Sequence, residues 1–149
     1  MKCRLKLCLL LAVVFISAAG SPAIASALIN AVESGDAEKV QALLEKGVEV
    51  NAKDYKGAAA LICAARCGHT DIVKVLLAKG AYINAKNMIG CSALMCAAMC
   101  GHTDIIKVLL AKGATVKSKS KNGETALSLA EYEGHKEIVR LLKEAGAKE

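Results

Sequence analysis

The sequence predicts an all-α solenoid of about four stacked helix–turn–helix repeats with short β-hairpin-like fingers. Three observations predict it. The first is self-similarity. CGHTDIVKVLLAKGA at residues 67–81 returns 33 residues later as CGHTDIIKVLLAKGA at 100–114, with one difference, Val73 against Ile106. Weaker copies lie one period either side, SGDAEKVQALLEKGV at 34–48 and EGHKEIVRLLKEAGA at 133–147. A period of about 20 to 50 residues marks units that bury their apolar faces only by stacking. The second is composition: 54% hydrophobic residues, only 3% aromatic, and no Trp. A core of Ala, Leu, Val and Ile suits closely packed helices, because small side chains let axes approach to about 8–10 Å. The third is punctuation: Gly recurs at fixed columns, before and after each apolar run.

Residues 1–25 read as a secretory signal. Lys2, Arg4 and Lys6 form a basic leader, Leu7 to Ile16 is uncharged and apolar, and Ala23-Ile24-Ala25 is a small-residue cleavage site. Cleavage is expected after Ala25, with a second site after Ala27. The apolar run is short of the ~20 residues that a membrane span requires, so membrane attachment is expected only if the leader stays on. Cys3 and Cys8 lie before or at the start of that run, not after it as a lipoprotein needs. The chain carries a net charge of +6. Losing the leader removes three positive charges and no negative ones, which leaves +3. That balance does not argue for nucleic acid. The expected location is the periplasm or the outside of the cell, in bacterial style.

The remaining chain, 26–149, divides into repeats of about 26–54, 55–87, 88–120 and 121–149. The first lacks a front finger and opens on a helix from Ala27 to Glu33, with Leu28 and Ala31 inward. Its second helix runs from Ala37 to Glu45, with Val40, Leu43 and Leu44 apolar at helical spacing. The second repeat turns at Lys56-Gly57, starts a helix at Ala60-Leu61 and breaks it at Gly68-His69. A second helix starts at Asp71, with Val73, Leu76 and Leu77 inward. Residues 88–120 repeat this plan. The last repeat keeps Gly123, Leu127, Ala130, Gly134, Val139, Leu142 and Gly146.

The columns have physical reasons. Gly57, Gly90 and Gly123 permit tight turns at positive φ; Gly47, Gly80, Gly113 and Gly146 do so past helix ends. Glu38, Asp71, Asp104 and Glu137 place a carboxylate in the first turn of each second helix, where the dipole favours it by about 0.3–1 kcal/mol. Lys46, Lys79 and Lys112 are expected in the matching last turns. In the last helix Lys136, Glu137, Arg140, Lys143 and Glu144 supply the polar outer face that a terminal repeat needs.

Several of these motifs together resemble the ankyrin-repeat family: Gly-x-Thr-Ala-Leu at 123–127, Ala-Ala at 64–65 and 97–98, Gly-His at 68, 101 and 134, Leu-Leu followed by Gly-Ala, and Asn-Ala-Lys at 51–53 and 84–86. The resemblance covers essentially all of 26–149. It implies a curved stack of helix pairs with fingers, acting by binding another protein. The chain departs from the family's Thr-Pro-Leu-His, reading Ala59-Ala60-Leu61-Ile62, Ser92-Ala93-Leu94-Met95 and Thr125-Ala126-Leu127-Ser128. The family's Pro and His are absent. Ser92 and Thr125 are able to cap their helices and Ala59 is not.

No catalytic motif is present: no G-x-S-x-G, no H-E-x-x-H and no phosphate loop. An enzyme is not expected, nor a cofactor. Cys63 with Cys67 and Cys96 with Cys100 are i, i+4 pairs, and His69 and His102 lie nearby. A thiol- or metal-handling protein of the envelope is therefore the alternative reading, and a membrane-anchored scaffold a further one. Against metal, stacked repeats hold these pairs near 10 Å apart, while zinc–sulfur bonds are about 2.3 Å. The five cysteines beyond the leader, Cys63, Cys67, Cys91, Cys96 and Cys100, are expected to be free and buried as small apolar groups. Cys91, in the finger-to-helix turn, is the position best placed for redox sensing.

A binding face is read from columns that vary while the framework repeats. Finger tips give Tyr55-Lys56, Met88-Ile89 and Lys121-Asn122, and the adjoining turn gives Cys91. The groove column of the first helices gives Arg66, Met99 and Tyr132, after Glu33. Aromatics, Met and Arg are enriched at interfaces, so these residues are expected to bind a protein partner. The chain is expected to act as a monomer. The run Lys117-Ser118-Lys119-Ser120-Lys121 replaces the expected Asn-Ala-Lys segment and reads as a solvated basic loop.

Overall fold

The computed structural model describes residues 22–147, and the basic and apolar parts of the expected leader lie outside them. Within that range the chain forms four helix pairs. They are α1 (Pro22–Glu33) with α2 (Ala37–Glu45), α3 (Ala60–Cys67) with α4 (Thr70–Ala78), α5 (Ala93–Cys100) with α6 (Thr103–Ala111), and α7 (Ala126–Glu133) with α8 (Lys136–Glu144). The first helices α1, α3, α5 and α7 stack side by side as the more intimate layer, and the second helices touch one another more sparsely. Composition explains the asymmetry. The inner layer meets through Ala60, Ala64, Ala65, Ala93, Ala97, Ala98, Ala126 and Ala130, all buried. The outer layer carries branched Ile, Val and Leu, whose bulk holds axes apart.

One hydrophobic cluster runs through all four repeats. Leu76 and Leu109 are fully buried within it. The inward face of the second helices differs by one position from the sequence reading. Ile72, Ile105 and Ile138 are buried beside Leu76, Leu109 and Leu142, whereas Leu43, Leu44 and Leu77 are half-buried on the flank. Residues 72, 73 and 76 share one face of α4, and Leu77 turns to its flank. Lys46, Lys79 and Lys112 likewise sit just past the last turn, as C-cap residues. α1 begins earlier than expected, at Pro22, and runs through both expected cleavage positions. Proline suits a first helical position, where its missing N–H leaves no bond unmade.

Each finger is held by its own first polar side chain. The Asp54 carboxylate accepts the backbone N–H of Lys56 and of Ala58, at 2.8 Å each. Asn87 Oδ1 accepts from Ile89 and Cys91, and Ser120 Oγ accepts from Asn122 and Glu124. Such side-chain turns replace ladder pairing, and the fingers make single antiparallel bridges, Lys53 to Ala59 and Lys86 to Ser92, in place of strands. Successive fingers are tied by one backbone bond each: Met88 N–H donates to Lys56 O and Lys121 N–H to Ile89 O.

Three contacts lock one repeat to the next. The His102 ring Nε2–H donates to the Arg66 carbonyl at 3.0 Å, and His69 and His135 reach Glu33 and Met99 in the same way. Each ring lies over the glycine that ends the preceding inner helix: a Cβ built on Gly68 meets the His102 ring at 2.6 Å. In the first repeat the column holds Asp36, which caps its own helix by accepting from Lys39 N–H. Asn51 and Asn84 Oδ1 accept the backbone N–H of Tyr82 and Thr115 in the following repeats. Their successor in the column is Lys117.

The capping expectation is met. Ser92 Oγ accepts from Met95 N–H, Thr125 and Ser128 form a reciprocal capping box, and Ala59 makes no side-chain cap. Two predictions follow from these termini. Hydrogen exchange over the first turn of α3 will be faster than over the first turns of α5 and α7, and Ala59→Ser will raise unfolding stability by about 1 kcal/mol in a urea titration. Gly68→Ala and Gly134→Ala both force alanine to a φ near +80°, at about 1–2 kcal/mol. Only Gly68 has an imidazole above it, so its variant will lose about 1 kcal/mol more, the worth of the displaced hydrogen bond.

Candidate functional site

The fingers and the first helices enclose two adjoining hollows. The one nearer the amino end, about 420 Å³, lies between α1 and the first finger and is lined by Ile29, Asn30, Glu33, Asp54, Tyr55, Lys56 and Arg66, among others. The second, about 280 Å³, lies between the first two fingers, α3 and α5. Its lining includes Lys56, Ala58, Ile62, Arg66, Ile89, Cys91, Met95, Cys96, Met99, Glu124 and Leu129. Lys56 and Arg66 belong to both, so the hollows form one groove with a basic saddle.

Of the ten residues expected at a binding face, six line this groove: Tyr55, Lys56, Arg66, Ile89, Cys91 and Met99. Met88, Lys121, Asn122 and Tyr132 line neither hollow. Met88 and Ile89 are 62% and 61% exposed at their finger tip, and Tyr55 and Tyr132 are 85% and 87% exposed. Arg66 is not free: its guanidinium donates to Glu33 Oε1 at 2.9 Å across one repeat. Both partners are partly exposed, and such a pair is worth about 0–1 kcal/mol.

Sequence reasoning missed the floor of the second hollow. Ile62 and Met95 stand where the repeat pattern has histidine, and both are buried beneath the groove. The signal was present in the sequence as two departures from one column. Tyr82, 69% exposed in the loop after α4, was also missed, because its neighbours in that column are Glu49 and Thr115.

The thiols divide into three classes, which corrects the expectation that all are buried. Cys63 and Cys96 are buried, Cys91 is half-buried, and Cys67 and Cys100 are exposed; all five are free. The cause is position in an eight-residue helix. Cys63 and Cys96 face the neighbouring inner helices, while Cys67 and Cys100 end their helices at the rim. Burial pushes the Cys63 thiol up to about 11, with Asp54 adding to it. Burial also pushes Cys96 up to about 12. Cys91 is raised by burial and by the Glu124 carboxylate, and Cys100 chiefly by burial. A raised thiol holds its proton and is a weak nucleophile at neutral pH. Among the described residues no group of three or more His, Cys, Asp or Glu side chains is gathered as metal ligands. No helix among them is long and apolar enough to cross a membrane.

A family model described as ankyrin repeats (3 copies) matches residues 7–87 and 86–149. Comparison with the curated proteins gives no match. Reaction of the native protein with a thiol reagent will modify Cys67 and Cys100 first. Cys63 and Cys96 will react only at the rate of unfolding, and peptide mapping after a timed quench separates the classes.

Proposed function

Because the chain belongs to the ankyrin-repeat family, we propose that it is an exported module that binds a partner protein in its groove, with no chemistry of its own. Ankyrin repeats are generally protein–protein interaction modules. One observation carries the assignment to this face. Among the described residues, six large apolar side chains are exposed, and five of them, Tyr55, Met88, Ile89, Met99 and Tyr132, occupy finger tips or the groove column. Only Tyr82 lies elsewhere. The chain buries a continuous aliphatic core yet leaves all three tyrosines of the described residues in water. Exposed aromatic and Met side chains gathered on one side are what an interface core is made of.

Export rests on the leader, with its basic start, apolar run and small-residue cleavage site. It places the module in the periplasm or outside the cell, released from the membrane once cleaved after Ala25 or Ala27. The thiol classes support binding without redox chemistry, since Cys91 and Cys96 in the groove wall are both held protonated.

Two measurements test this. Amino-terminal sequencing of the exported protein should read from Ser26 or Leu28; a start at Met1 would contradict export by cleavage. Met99→Glu and Ile89→Glu should each weaken a captured partner by about tenfold or more, the effect of truncating an interface anchor, with circular dichroism unchanged. Undiminished affinity in both would move the binding face elsewhere.

A further inference from the structure

Resting on the protein-binding reading above, we infer that the groove takes an acidic segment anchored by one apolar side chain of leucine or methionine size. Two independent features point to this occupant. The first is the shape of the 280 Å³ hollow. Its floor is Ile62 and Met95, its walls include Ile89 and Met99, and the buried Cys96 thiol beside them is neutral at physiological pH. An apolar side chain entering there leaves water without stranding a polar group.

The second feature is charge. The three fingers carry Lys53, Lys56, Lys86, Lys119 and Lys121 against Asp54 and Glu124. The two carboxylates are already engaged. Asp54 accepts two backbone N–H groups, and Glu124 accepts from Ser120 Oγ at 3.1 Å. Among the described residues no carboxylate pairs with any of the five lysines. Lys86 donates to the Lys119 carbonyl, and the Lys56 ammonium lies 5.3 Å from the Tyr55 ring centre. The other cation at the groove, Arg66, is occupied by Glu33. The finger carboxylates thus take neutral hydrogen-bond donors rather than lysines, and five positive charges against two negative leave the fingers with an excess of +3. A row of ammonium groups without carboxylate partners, beside a recessed apolar hollow, complements carboxylates flanking an apolar anchor. A flat anionic membrane matches the lysines but does not reach the buried floor.

Random-peptide display on the immobilised chain tests this. The expected outcome is recovery of peptides in which Asp or Glu flank a Leu or Met. Their affinity should fall at least about tenfold in Lys56→Glu with Lys121→Glu, and fall as salt is raised. Lys39→Glu with Lys74→Glu, which makes the same charge change on the outer helices, should leave affinity unchanged. Neutral or basic peptides that still require Met99 would overturn the acidic occupant and leave the protein-binding reading standing. Peptides indifferent to Met99→Glu and Ile89→Asp, or no peptide at all, would remove both. Phosphatidylserine vesicles that bind through Lys56 and Lys121, with no peptide recovered, would assign the charge to lipid and overturn the inference.

Discussion

The contact on which the stack depends is an imidazole lying over a glycine one repeat back. His69, His102 and His135 each place a ring over Gly35, Gly68 or Gly101, and each donates Nε2–H to a carbonyl at the end of the preceding inner helix. Two constraints meet at one glycine: a left-handed backbone and a missing Cβ. Those carbonyls are the ones a helix leaves unpaired at its C-terminus, so the ring satisfies a need of the neighbour while fixing its register. An Nε2 that donates to a carbonyl must carry its proton, which fixes that nitrogen as protonated. Apolar burial alone would allow two stacked helix pairs to slide. This directional bond and the Asn51 and Asn84 bonds to the next loops do not.

The ends show the same logic by omission. The first repeat has Asp36 in the histidine column and uses it to cap its own helix, since no earlier described repeat offers a carbonyl. The last repeat has a charged outer helix tied to its neighbours by Lys107–Glu137 and Lys143–Glu131. Stability in such a stack is close to a sum of repeat and interface contributions. The histidine column therefore changes to Asp36 where no earlier described repeat is there to be held.

The groove arises from the same asymmetry. Alanines draw the first helices together, branched residues hold the second helices apart, and the fingers project beside the closer layer. Residues that do not serve the stack collect there, among them Met88, Ile89 and Met99. Ile62 and Met95 combine both roles, as buried framework residues that are also the floor of a hollow.

The sequence alone determined the period, the eight helices of the described residues, the glycine columns and the caps at Ser92 and Thr125. Each of these is a local property, carried by residues at short spacing or repeated in register. It also picked out the variable columns, because internal repeats let framework and free positions be told apart within one chain. The tertiary structure decided what depends on neighbours 33 residues away. It set which thiols are exposed, that Arg66 is taken by Glu33, that Ile72 and not Leu77 faces the core, and that Asp54, Asn87 and Ser120 spend their polar groups inside the fingers. Burial and pairing are fixed by the distance between side chains in space, and a sequence states only their distance along the chain.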